Sequence, residues 1–98
     1  MSKLYLSTFL KHLSDETRKK VLEELAGSDD FDIKMEVAKY EKTPGNILSR
    51  LARDKSWFIR QAVACNLSTP VEALNELVKD ENSGVRAWAI KNLQEHNK

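Results

Sequence analysis

Cysteine is nearly missing from this chain: Cys65 stands alone. It allows no intramolecular disulfide and no cysteine-rich metal site. Glycine and proline are scarce too, three and two in 98 residues. Few β-turns can be built from them, so long helices are the expected structure. Neither sign of charge dominates. Sixteen basic residues face fifteen acidic ones, for a net charge of +1, whereas a domain made mainly to hold nucleic acid carries a larger basic excess. No apolar run approaches the about 18 residues of a membrane span. The opening "MSKLYLSTFLKHL" is amphipathic, without the long apolar stretch and small-residue cleavage site of a signal peptide. The expected location is cytoplasmic, with no membrane partner.

What is present is globular: 41% hydrophobic and 32% charged residues, too apolar for a disordered chain. The length suits a single domain over 1–98. Sliding the sequence by 26 residues brings it onto itself. "LARDKSWFIRQAVA" at 51–64 meets "LVKDENSGVRAWAI" at 77–90. Leu22, Leu48 and Leu74 align, as do Leu25, Leu51 and Leu77, and Thr17, Thr43 and Thr69. So do Ile33, Ile59 and Val85; Lys34, Arg60 and Arg86; and Val37, Val63 and Ala89. Asp54 matches Asp80, where the earlier copy has Ser28 followed by Asp29.

Each copy reads as two helices. Ser56 is expected to cap a first helix whose apolar stripe is Ile59, Ala62, Val63 and Asn66. "NLST" interrupts it. Thr69 is then expected to cap a second helix, with Pro70 in its first position and Glu72 closing a capping box. Along the chain this pattern predicts helices over 3–12, 15–26, 30–41, 44–53, 56–66, 70–79 and 83–95. A pair this short cannot bury its own apolar stripe, whereas stacked pairs form a continuous core. The fold expected is all-α: a short right-handed α-solenoid of stacked helix pairs with a period of about 26 residues. Residues 1–26 would be N-terminal cap helices, 27–92 the repeats and 93–98 a tail. Trp88, aligned with Glu36 and Ala62, could close an open end.

The stretch "IRQAVACNLSTPVEALNELVKDENSG" resembles the leucine-rich repeat variant family, a HEAT-like group. The residues that carry the resemblance are Ile59-Arg60, Val63-Ala64, Asn66, Thr69-Pro70, Leu74, Leu77 and Asp80. The preceding copy matches at Ile33-Lys34, Val37-Ala38, Thr43-Pro44, Leu48, Leu51 and Asp54, with Tyr40 where asparagine is usual. The resemblance spans about residues 33–92. It implies the α-solenoid and is nearly silent on activity. The family's prototype carries an N-terminal cysteine cluster for an iron–sulfur centre; those cysteines are missing here, so no cofactor is implied.

Candidate contact residues follow from the differences between copies. Trp57 and Phe58 stand where the last copy has Ser83 and Gly84, so the repeat itself does not require aromatics there. Exposed rings of this kind dominate binding hot spots. The competing reading folds one of them over the adjacent loop as local core, Phe58 being the better suited. The row Lys34, Arg60 and Arg86 is either a cationic track for phosphate or an acidic partner, or a stacking ladder paired with Asp54 and Asp80. Residues 33–58 form the basic part of the chain, with Arg50, Arg53 and Lys55 beside Lys34, Lys39 and Lys42. In a HEAT-like stack, Arg50 and Arg53 would share a surface with Glu72, Asn75, Glu76 and Lys79.

Signals for catalysis and metal binding are weak. His12 and His96 have no partner at motif spacing, and no Gly-rich phosphate loop occurs. The carboxylates of "DETRKKVLEEL" alternate with Lys and Arg as on a solvated helix face. Cys65 is expected to be a small buried hydrophobe. The function expected is therefore non-enzymatic: a protein-binding module acting as scaffold, adaptor or small inhibitor. Self-association through an open end is a further option. The alternative is nucleic-acid binding through the basic row.

Overall fold

The computed structural model describes residues 4–96. The first residue of the expected 3–12 helix and the last two of the expected tail lie outside that range. Among the described residues every regular element is a helix: α1 (Leu4–Lys11), α2 (Asp15–Ala26), α3 (Phe31–Lys39), α4 (Gly45–Leu51), α5 (Trp57–Cys65), α6 (Val71–Leu77) and α7 (Ser83–His96). The order is the expected one: α2 matches at both ends and α7 at its start, and the other described ends lie within two residues of expectation. None of these helices is long and apolar enough to cross a membrane.

The helix starts follow local chemistry, not always the chemistry expected. Ser14 accepts the Thr17 N–H at 3.2 Å and caps α2. Asp15 and Glu16 then place negative charge in its first turn, where the helix dipole favours it. Asp30 accepts from Ile33 N at 3.1 Å and caps α3. Ser56, expected to cap α5, makes no side-chain cap bond. Its own N–H donates instead to Asp54 Oδ2 at 2.9 Å. The capping box at Thr69 is not formed either. Pro70 takes the cap position of α6, and the Thr69 hydroxyl, fully buried, donates to Val63 O at 2.7 Å. Thr43 does the same to Val37 O. Inside the core a free carbonyl at the end of the preceding helix outcompetes a solvated amide at the start of the next.

Helix α3 packs between α2 and α5, and α5 packs between α3 and α7. The even-numbered helices lie beside this row, α2 meeting α4, α4 meeting α5, and α6 meeting α7. Leu22, Leu48 and Leu74 have no exposed surface, and neither do Val37, Val63 and Ala89. Removing each large side chain of this kind from water contributes about 1.5–3 kcal/mol. In the first copy Leu25 and Ile33 are only partly buried, while Leu51, Leu77, Ile59 and Val85 are buried.

Two asparagines join the odd-numbered helices. Asn66, at the end of α5, donates its amide protons to Ala38 O at 2.8 Å and Tyr40 O at 3.0 Å, at the end of α3. Asn92, in α7, donates to Ala64 O and Asn66 O, both at 2.9 Å. The acceptors are 28 and 26 residues back in each case. The two side chains differ in one respect. Asn66 Oδ1 accepts from Ser68 N at 2.9 Å, because the chain turns there. Asn92 Oδ1 is buried without a partner, because α7 runs straight on to His96.

Candidate functional site

The basic row is held from within. Lys34 Nζ meets Asp54 Oδ1 at 2.7 Å. Arg60 Nε and Nη2 grip Asp80 at 2.7 and 3.1 Å, and Arg60 Nη1 donates to the Asp54 and Lys55 carbonyls. Arg86 Nη1 donates to the Asp80 and Glu81 carbonyls. Lys34, Asp54, Arg60, Asp80 and Arg86 therefore form one connected chain through the loops before α5 and α7. Asp54 and Asp80 also accept the N–H two residues on, from Ser56 and Asn82, which shapes the turn into each helix.

Burial works against charge on both aspartates. It is outweighed for Asp54 by the Lys34 hydrogen bond, the Ser56 amide and the charges of Lys34 and Lys55, so its pKa lies below the usual value. For Asp80 the opposing groups are Arg60, the Asn82 amide and the charges of Arg60 and Arg86, with the same net direction. The Asp80 hydrogen bond in turn raises the Arg60 pKa.

The other basic candidates gather elsewhere. Arg50, Arg53, Lys55 and Lys34 line one cavity of about 410 Å³ with Asp29 and Asp54. Arg50 reaches over the end of α2, where a Cβ added to Gly27 would lie 3.0 Å from Nη2. Arg53 crosses to Glu76 Oε2 at 3.0 Å in the open. Its hydrogen bond and charge lower the Glu76 pKa, while Glu76 raises that of Arg53. Glu72, Asn75, Glu76 and Lys79 are all exposed, as expected of that face.

Trp57 and Phe58 lie in the open at the start of α5. Phe58 is not local core: half of it is exposed, and Trp57 is 39% exposed. Their rings stack with centroids 3.8 Å apart. A third ring joins them. Phe31, 45% exposed, meets Phe58 edge-on at 6.1 Å. The sequence pattern alone does not mark Phe31 as a contact residue, although it stands 26 residues before Trp57 and opens α3 as Trp57 opens α5. Phe58 stays out because its neighbour Ile59 takes the buried place in the stripe.

Behind Phe58, between α3 and α5, runs a groove of about 400 Å³. Met35, Lys39, Gln61, Ala62, Cys65 and Asn66 line it with Phe58. Cys65 is exposed, not buried as expected, since the inward positions of α5 are taken by Ala62, Val63 and Asn66. Partial desolvation still pushes its thiol pKa up. Trp88 is 42% exposed, so much of its ring faces water instead of closing an end, and the Lys91 ammonium lies 5.5 Å from the ring centroid. Among the described residues, no three His, Cys, Asp or Glu side chains are grouped to hold a metal ion. Comparisons with protein-family models, curated proteins and solved structures find no match to this chain.

Proposed function

We infer that the chain is a non-enzymatic protein-binding module, and that its helix pairs stack as a short α-solenoid of the leucine-rich repeat variant type. The observation that carries the binding reading is the exposed cluster of Phe31, Trp57 and Phe58. Three contiguous rings in water cost apolar exposure that the fold does not require, and such rings dominate protein interfaces. The basic cavity with Arg50 and Lys55 lies next along the chain, which suits a partner whose contacting segment is acidic. The engagement of Lys34 and Arg60 with buried carboxylates favours this reading over nucleic-acid binding, because a phosphate would have to displace those carboxylates. The resemblance to HEAT-like repeats supports the stacked arrangement, and the 26-residue spacing of the asparagine hydrogen bonds agrees with it.

The test is affinity purification from the native host with quantitative mass spectrometry, comparing the chain with its Trp57→Ala/Phe58→Ala variant. A partner enriched by the first and lost with the second is the expected result. A partner set unchanged by the double substitution would sink the reading.

A further inference from the structure

The α3–α5 and α5–α7 junctions are built from equivalent positions that carry different residues. On the α3 side the groove is lined by Met35 and Lys39, and on the α5 side by Phe58, Gln61, Ala62 and Cys65. Twenty-six residues on, the same positions read Gln61 and Cys65 on α5, then Gly84, Ala87, Trp88 and Lys91 on α7. Gly84 lets α7 come close: a Cβ there would lie 2.7 Å from Gln61 Oε1. Trp88 then supplies an indole with a lysine ammonium over its ring. At the first junction Phe58 replaces the glycine and Ala62 replaces the tryptophan. The junction is left open by about 400 Å³.

We propose that the groove between α3 and α5 is a docking site for a tryptophan or phenylalanine side chain carried on an acidic peptide segment of a partner protein. The chain itself places an aromatic ring at the equivalent position one period later. The groove's lining offers that ring Phe58, the polarisable thioether of Met35 and the small side chain of Ala62. Charge sets the rest of the segment. The Lys39 ammonium makes no ion pair or hydrogen bond with any described residue. It also lines the neighbouring cavity of about 510 Å³, where Lys11 and Lys42 stand with Glu36 and Glu41. Lys39 thus lines the groove itself, and Lys55 stands two residues before Trp57. An acidic residue beside the docked ring meets Lys39, and a basic one is repelled. This inference rests on the protein-binding reading, which it narrows to one kind of segment.

Cys65 is the chain's one cysteine and lines the groove, so its reactivity reports occupancy. The experiment measures alkylation of Cys65 in the full chain by iodoacetamide, read as intact mass. Three short blocked peptides serve as probes: Glu-Trp-Glu-Asp, Lys-Trp-Lys-Lys and Glu-Ala-Glu-Asp. The acidic tryptophan peptide should slow alkylation about tenfold at about ten times its Kd, because only the empty groove reacts. The other two should leave the rate unchanged at that concentration. Ala62→Trp places an indole in the groove itself and should abolish the effect. Lys39→Glu, a surface change, should transfer protection to the lysine peptide and keeps the test open if Ala62→Trp does not fold. Equal protection by all three peptides, or none by the acidic tryptophan peptide, overturns the proposal. Loss of native partners with Trp57→Ala/Phe58→Ala alongside failed peptide protection removes this inference alone. Peptide protection with partners unchanged removes the broader reading of the aromatic cluster.

Discussion

Arg60 reaches Asp80 across twenty positions of sequence with two hydrogen bonds, of 2.7 and 3.1 Å, and both side chains are about nine-tenths buried. The same guanidinium turns its remaining nitrogen back to the Asp54 and Lys55 carbonyls. One side chain therefore ties the loop before α5 to the loop before α7.

That pair should be sensitive to losing one member. Asp80→Ala leaves the buried guanidinium with only the exposed Glu81 carboxylate, 3.8 Å away, and should cost about 3 kcal/mol. Arg86→Ala should cost less, since it frees only carbonyl acceptors near the surface. Urea denaturation of both variants measures the difference, and equal midpoints would remove Arg60–Asp80 as the stronger tie.

Acid should loosen the same chain of residues. Asp54 and Asp80 have folded pKa values below the unfolded value of about 3.9. Their contribution is fully present above that value and is lost as pH falls through the lower folded ones. Melting temperature should stay level from about pH 7 to about pH 5 and drop below about pH 4, as followed by circular dichroism. Asp80→Asn should flatten the drop. The exposed Arg53–Glu76 pair is screened by solvent and should add little.

The asparagine joints give a third test. Asn66→Ala strands the Ala38 and Tyr40 carbonyls and frees the Ser68 N–H, and should cost about 2 kcal/mol. Asn92→Ala removes a side chain whose oxygen is already unpaired. It should cost less in the same chemical denaturation experiment, and the reverse order would contradict the hydrogen-bond accounting.

The aromatic cluster should behave oppositely. Trp57→Ala or Phe58→Ala removes a stacked ring from the surface and should change stability by about 1 kcal/mol or less. Partner binding should fall steeply. A large loss of stability with either variant would mean that the rings support the fold, not an interface.

The helix order was legible because Leu22, Leu48 and Leu74 repeat at one spacing, and core positions of this kind tolerate few alternatives. The ion-pair ladder was visible as one of two readings of Lys34, Arg60 and Arg86. Phe58 and Cys65 were misjudged because side-chain type says little about which way a residue points when a neighbour holds the inward place. Thr69 misled for a related reason: its signature fits a cap, but burial gave its hydroxyl a carbonyl instead. Phe31 and Asn92 were within reach of the 26-residue comparison, one period from Trp57 and Asn66, and became prominent only as contacts.

The asparagine joint has a consequence for how this molecule can change over evolutionary time. Asn66 and Asn92 each read two main-chain carbonyls of the helix behind them, and no side chain of that helix takes part. These four hydrogen bonds are therefore blind to residue identity at the exposed Lys39 and Cys65, whereas Met35 packs against the core and Gln61 lies against Gly84. Drift at Lys39 and Cys65 can reshape what the groove prefers while the helices keep their phase.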